Sequence, residues 1–285
     1  MRTWIMLLAA GLLAGCGDKE TIAQDSGDSS SGGSDSGEAD TETEPVSTYE
    51  SGQFRVSLLS IESDMTVGVD LDGDGEVDNK LPQVLQLAAT LTGEPLDVDS
   101  LNTVLSSDIS KGTLILLTAL GYTERTLTVD AMLGVADKSG ALSVDKSSYT
   151  DGVPNTRFSG ALSSQTDYTS SSERIELPFP LLVGEPAVLV PLELAQNIGS
   201  VDGSANGGII VGAVPVDDFM SQVIDPVIPT GEDYDPSDFL DMDRDELLDF
   251  IYEFATGETM ADITLADGRK AVSAVVNYSA ETSSF

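Results

Sequence analysis

Between Gly17 and about Glu50 the chain offers almost nothing to bury: it is Ser, Gly, Asp, Glu and Thr, as in Asp25-Ser26-Gly27-Asp28-Ser29-Ser30-Ser31-Gly32-Gly33. Such a segment cannot bury enough apolar surface to offset its ordering entropy, so it is expected to be disordered. At about 5 to 6 Å times the square root of its length, it reaches on the order of 30 Å, and further if its charges repel. No second linker of comparable length follows. Residues 51–285 are therefore expected to form a single globular domain.

Charge narrows the partners. The chain carries 13 Lys and Arg against 49 Asp and Glu, a formal net charge of −36. The acidic linker accounts for only about a quarter of this, so the folded body is itself strongly acidic. Nucleic acid is excluded as a partner, because its binding draws on cations that displace phosphate counterions. Docking on anionic lipid head groups is disfavoured for the same reason. There is no histidine, which removes Ser-His-Asp triads, Cys-His pairs, His-ligated zinc and imidazole acid-base chemistry. A single cysteine excludes an intramolecular disulfide. Carboxylates, hydroxyls, a few Lys and Arg, and hard-cation coordination by oxygen remain.

The first residues, Met1-Arg2-Thr3-Trp4-Ile5-Met6-Leu7-Leu8-Ala9-Ala10-Gly11-Leu12-Leu13-Ala14-Gly15-Cys16, place a short apolar run between a basic residue and small residues before cysteine. The run is too short to span a bilayer and reads as the core of a signal peptide. Leu13-Ala14-Gly15-Cys16 resembles the lipobox of bacterial lipoproteins. That resemblance implies that residues 1–15 are a lipoprotein signal peptide, that Cys16 is lipidated, and that 16–50 is an acidic tether. Three acyl chains exceed the roughly two signals needed for stable anchoring, so the protein would be held on a membrane without crossing it. Gly17, where the family's inner-membrane retention signal has aspartate, implies the outer membrane, with the body facing the periplasm or the cell surface.

The body alternates in period and type. Phe54, Val56 and Leu58 alternate with Arg55 and Ser57, predicting a strand. Leu81, Val84, Leu85, Ala88 and Leu91 fall at helical spacing, with Asn79 placed to cap and Pro82 in the first turn; Val98, Leu101, Leu105 and Ile109 predict a second helix. Leu114 to Leu120 and Leu127 to Val135 read as an antiparallel pair turning across Gly121 to Arg125. Residues 137–172 are polar and Gly/Ser-rich, predicting loops and short strands. Ile175, Leu177, Phe179 and Leu181 alternate with residues that include Pro178 and Pro180, the mark of an edge strand. Val188 to Leu194 and Gly208 to Val214 add strands, and two helices follow, near Val216 to Val223 and after the capping pair Asp243 and Glu246. A hairpin turning at Asp267-Gly268 ends the chain. Helices and strands segregate without alternating, so the expected class is α+β: a mainly antiparallel sheet, sandwich-like or curved, with about four packing helices.

Asp70-Leu71-Asp72-Gly73-Asp74-Gly75-Glu76-Val77-Asp78-Asn79 is the most specific segment. Carboxylates at loop positions one, three, five and nine, glycine at six and an aliphatic residue at eight match the spacing that wraps oxygens around Ca²⁺. The loop resembles EF-hand-like calcium loops, including thrombospondin type 3 and dockerin variants. By that resemblance Asp70, Asp72, Asp74 and Asp78 ligate through side chains, Asp78 directly or through water, and Glu76 through its carbonyl. Position twelve, where an EF-hand supplies a bidentate glutamate, is Leu81, so a distant carboxylate is needed to complete the sphere. A Kd of roughly 10⁻⁵ to 10⁻³ M follows, as does a structural staple in place of a sensor. Asp241-Met242-Asp243-Arg244-Asp245 reads instead as a solvated helix start, because Glu246 stands where the turn needs glycine.

No catalytic set emerges. Ser143-Val144-Asp145-Lys146 and Lys138-Ser139-Gly140 imitate penicillin-binding motifs in the wrong order and far too close together. The combination of lipobox, tether and Asp-rich loop loosely resembles surface lipoproteins of myxobacterial-type Gram-negative bacteria, which implies no activity. The expected function is a non-enzymatic, outer-membrane-anchored binding or structural lipoprotein with a calcium-stabilised fold. Its partner would be an envelope protein or an apolar ligand. A carrier enclosing a lipid-like ligand between Leu114 to Leu120 and Val188 to Leu194 is the alternative, and a carboxylate glycan hydrolase comes third.

Overall fold

The computed structural model describes residues 51–123, 126–164, 166–179, 187–257 and 260–285. The expected signal peptide, Cys16, the tether up to residue 50 and Leu181 lie outside the described residues.

Strand β1 (Ser51–Ile61) enters the body and is followed by the Asp-rich loop, helix α1 (Leu81–Thr92) and helix α2 (Val98–Lys111). Next come β2 (Leu116–Thr123), β3 (Thr126–Ala136), the short β4 (Leu142–Val144), a small hairpin of β5 (Tyr149–Thr150) and β6 (Val153–Pro154), then β7 (Thr156–Leu162) and β8 (Asp167–Phe179). Long strands β9 (Val188–Val201) and β10 (Ala205–Pro215) lead to the short α3 (Val216–Phe219), which runs into a π turn over Met220–Ile224. Helix α4 (Arg244–Ala255), β11 (Ile263–Thr264) and β12 (Lys270–Thr282) complete the domain.

Eight of these strands pair in the order β1-β2-β3-β7-β8-β9-β10-β12, every neighbour antiparallel, and β12 pairs back onto β1 from Phe54↔Thr282 to Ile61↔Val276. The domain is thus a closed eight-stranded antiparallel barrel and mainly β. This corrects the expected α+β, sandwich-like class. The error lies in residues 137–172. They were expected to give loops and short strands, yet they supply β7 and the first half of β8. Facing inward, these strands carry the large Phe158 and Tyr168 but otherwise small residues such as the half-buried Gly160 and the buried Ser170, so the apolar alternation that marks a strand is thin. The helices do not form a layer. They sit in two insertions, 62–115 and 216–269, that leave the barrel at the same end of an otherwise simple meander.

At that end the apolar faces of α1 (Leu81, Val84, Leu85, Ala88) and of α3 with its π turn (Phe219, Met220, Val223) join the barrel core. Pro82 occupies the first turn of α1, as expected, but Asn79 does not cap it. The N-cap is Lys80 without a side-chain bond, and Asn79 is 1% exposed, its amide nitrogen donating to the carbonyls of Glu62 and Asp64. Helix α2 packs beside β1, where Asn102 extends the ladder: it accepts from Ile61 N at 2.7 Å and donates to Ile61 O at 2.9 Å. Asp243 and Glu246 form the predicted capping box of α4.

The barrel interior is mostly apolar, with a few hydroxyls such as Thr118 and Ser170 and one hydrogen-bonded polar layer. Tyr168 pairs across the sheet with Gly199, Gly199 with Gly208, and Gly208 with Tyr278. The two glycines leave the width that lets the tyrosine hydroxyls meet at 2.6 Å. Outward positions on β8 include Thr169, Ser171, Glu173 and Glu176, while Tyr168, Ile175 and Leu177 face in. On β8 the apolar side is therefore the inside, whereas on β2 and β3 the outward Leu117 and Met132 join Ile115 in a separate apolar cluster against Leu142, Val144 and Phe285. Among the described residues, no helix is long and apolar enough to cross a membrane.

One stretch of wall is not closed by hydrogen bonds. β7 pairs with β8 only from Ser159↔Ser171 to Leu162↔Tyr168, so among the described residues no strand pairs with Ser172 to Phe179 on that side. The edge predicted from the prolines exists here, with Pro178 in it. On its other side β8 pairs with β9 along its whole length.

Candidate functional site

The Asp-rich loop folds onto the outside of β12. Val69 and Asp78 form an isolated bridge that closes its neck. Inside, carboxylates organise the backbone. Asp70 accepts from the N–H groups of Gly73 (2.6 Å), Asp74 (3.1 Å) and Gly75 (2.9 Å), Asp72 from Asp74 (3.1 Å), Asp74 from Glu76 (2.8 Å), and Asp78 from Leu71 (2.6 Å). Gly75, at the sixth position, has φ +91°, a left-handed conformation that side chains avoid.

Asp70, Asp72 and Asp78 each bring a carboxylate oxygen within 4.8 Å of the other two, a cluster able to hold a metal ion. Asp74 and the Glu76 carboxylate lie outside that group. Asp78 is only 5% exposed, and burial raises its pKa above the usual carboxylate range, with the nearby charges of Asp262, Asp72 and Asp74 adding to the effect. Three converging acids, one of them buried, are an all-oxygen donor set suited to a hard cation. Leu81, at position twelve, is 4% exposed in the core and cannot ligate.

No local pattern points to Asp262, which lies beside the loop just before β11. Burial raises its pKa too, against the hydrogen bonds it accepts from Ser273 N (2.9 Å) and from Ser273 Oγ. The fully buried Ser273 also accepts from Lys80 N, through Oγ at 2.9 Å and its carbonyl at 3.1 Å. Leu71 packs onto the outer apolar cluster of Ala213, Ile263, Leu265 and Ala271. The loop is thus clamped between β1, α1 and β12.

The second feature is inside the barrel, a cavity of about 130 Å³. Its wall is built by inward side chains of several strands, among them Leu59, Leu116, Thr118, Val129, Phe158, Ile175 and Ile210. Ser148, Asn155 and Thr156 on one side and Glu176 and Pro178 on the other border it where β7 and β8 part. Of the two runs expected to enclose a ligand, the first contributes Leu116, Leu117 and Thr118, and the second only Leu189.

Above the cavity lies the polar layer. Tyr168 Oη lies 2.7 Å from Asn206 Oδ1 and Tyr278 Oη 3.0 Å from Asn197 Oδ1, and with the hydroxyls 2.6 Å apart two phenolic protons serve three contacts. Burial raises the pKa of both phenols, so they stay protonated. Isolated Tyr and Asn at inward positions of apolar strands were the available signal for this layer, and reading each strand separately missed it.

No family model matches the chain, and no curated protein or solved structure matches it either. The site must be read from its own geometry.

Proposed function

We propose that this is a membrane-tethered, calcium-stabilised binding protein whose barrel takes up a small apolar ligand. The cavity carries this reading. An eight-stranded barrel has room for packed side chains or for one small ligand, and here about 130 Å³ is left unfilled behind a gap in the wall. Apolar cavities of about this size, roughly 150 Å³, accept benzene-sized molecules. The tether and the lipid on Cys16 would keep the barrel near a membrane, a natural source of apolar compounds. The test is titration of the full chain carrying Cys16→Ser with toluene, beside an Ala131→Phe variant that fills the cavity. Saturable binding that the filled variant loses, with its melting temperature kept, supports the reading. Equal binding by both variants refutes it.

Ca²⁺ is the cation this reading places in the loop, on Asp70, Asp72 and Asp78, with Asp74 and the Glu76 carbonyl completing the sphere. Millimolar CaCl₂ should raise the melting temperature over excess EDTA. At about 100 times Kd the gain is about 2.7 kcal/mol. Asp72→Ala should abolish it, and the same rise in that variant would remove the ion from this loop.

A further inference from the structure

The wall of the cavity constrains what enters it more narrowly than its volume does. Among the described residues, Glu176, exposed at the mouth, is the only charged residue in the lining, and no Lys or Arg is among them. The nearby guanidinium groups are on the outer wall and engaged: Arg157 pairs with Asp130 at 2.6 Å, and Arg174 approaches Glu193 at 3.7 Å. A carboxylate or phosphate drawn into this strongly acidic barrel would lose its hydration and meet no counter-charge.

Thr118 supplies the one polar requirement. It lies on β2 between the inward Leu116 and Leu120, is 4% exposed, and lines the cavity. Its hydroxyl oxygen has no hydrogen-bond partner. Of the buried side-chain oxygens and nitrogens that lack a partner among the described residues, this is the one in the cavity wall. Tyr278 and the amide oxygen of Asn197 also border the cavity, but they are committed to each other. A buried hydroxyl without a partner costs free energy that a matching ligand group recovers.

Resting on the binding reading above, we infer that the ligand is an uncharged molecule with a compact apolar body and one hydrogen-bonding group, which pairs with Thr118 Oγ1. Alcohols, phenols, aldehydes and ketones of about six to nine heavy atoms fit this description, by comparison with a roughly 150 Å³ cavity that holds benzene. Free fatty acids and phosphorylated lipids do not.

The test uses the full chain carrying Cys16→Ser and two pairs of near-isosteric probes followed by calorimetry or ligand-observed NMR. These are phenol against toluene and benzamide against benzoate. The hydroxyl of phenol makes it better hydrated than toluene, so the informative quantity is how their affinity ratio responds to the protein. Thr118→Val, which keeps shape and removes the hydroxyl, should shift that ratio about tenfold toward toluene, and Thr118→Ser should restore it. Benzamide should bind at least about 100-fold more tightly than benzoate. Melting curves of both variants establish that each is folded.

If toluene and phenol bind but Thr118→Val leaves their ratio unchanged, the pairing with Thr118 is wrong, while the cavity remains a binding site. A water satisfying the hydroxyl gives the same result. Benzoate binding as tightly as benzamide overturns the neutral-ligand claim. If none of the four binds, the binding reading itself falls.

Discussion

Gly208→Ala probes the interior row of the barrel directly. Gly208 has no left-handed φ, so what constrains it is space and not backbone freedom. A Cβ there would lie 2.1 Å from the carbonyl oxygen of Ile198 and 2.5 Å from Gly199 Cα, distances below 3.0 Å that real Cβ atoms essentially never show. Both obstacles are backbone of β9, so relief means moving β9 from β10 by about 1 Å, when paired strands are held about 4.8 Å apart. Overpacking of this kind costs about 1 to 3 kcal/mol, and two weakened ladder hydrogen bonds add about 1 kcal/mol each. A loss of about 4 kcal/mol lowers the melting temperature by about 10 °C in a domain of this size. Gly207→Ala is the control. It changes the adjacent residue in the same strand and the same unfolded-state entropy, but its Cβ meets only Tyr278 O at 3.2 Å and then nothing nearer than 3.7 Å. Its cost should stay below about 1 kcal/mol. Thermal or urea unfolding of the two variants side by side decides the matter. Equal melting temperatures would mean that the Tyr-Gly-Gly-Tyr row is not closed as described.

Tyr168→Phe should lower stability by about 1 to 3 kcal/mol, since it strips Asn206 and Tyr278 of a buried partner. The double variant with Tyr278→Phe should cost less than the sum of the two, and strict additivity in a double-mutant cycle would contradict the shared network. Burial raises the pKa of Asp78 and Asp262, so the metal-free folded state binds protons more readily than the unfolded chain. Their ionisation opposes folding as pH rises from about 4, where carboxylates normally titrate, through their folded values. The Ca²⁺-dependent rise in melting temperature should therefore shrink as pH falls from neutral into the raised titration range of Asp78, where protons compete with the ion; a rise independent of pH would argue against Asp78 as a ligand. Asp243→Ala removes the half of the α4 capping box in which the Asp243 carboxylate accepts from Glu246 N, leaving the Glu246 bond to the backbone N–H of residue 243, and should cost about 1 kcal/mol by urea unfolding, with no change in toluene binding.

Local rules made much of this molecule legible. The capping box at Asp243, the proline in the first turn of α1, the hairpin turning at Asp267-Gly268 and the convergence of Asp70, Asp72 and Asp78 each depend on residues close in sequence, and each is found, although Asp74 and the Glu76 carboxylate stay outside the cluster. Barrel closure is different in kind. It depends on β1 meeting β12 across more than 200 residues, and nothing in Phe54 or Val56 announces Thr282 or Ala280 as a partner. The polar interior of β7 and of the first half of β8 hid them for a related reason. Gly160, Ser170 and Gly199 look like loop residues in sequence, but in the barrel Gly160 and Gly199 are small because neighbouring backbone or the Tyr168 ring fills the space beside them. Asn79 misled in the opposite direction, because its position suggested a cap and tertiary contacts with Glu62 and Asp64 claimed its side chain.

The two features of the site stand on opposite walls. In a ring of eight strands, the pairing of β12 with β1 closes the barrel, and the gap between β7 and β8 lies four strands away in either direction. The Asp-rich loop follows directly from β1, and its end is held by Ser273 on β12, so it stitches the seam on which closure depends. An ion in the loop would bring β1, α1 and β12 together without touching the cavity, and a ligand passing between β7 and β8 would not disturb the seam. Opening the wall at one place requires the rest of the barrel to stay closed, because a second unpaired edge would leave two sheets free to separate. A loop that fastens the seam farthest from the mouth meets that requirement, which gives the calcium reading a role in binding that is structural and not regulatory. Toluene affinity well below the melting temperature should accordingly be the same in CaCl₂ and in EDTA, and a change of tenfold or more, about 1.4 kcal/mol of coupling, would show instead that loop and cavity communicate.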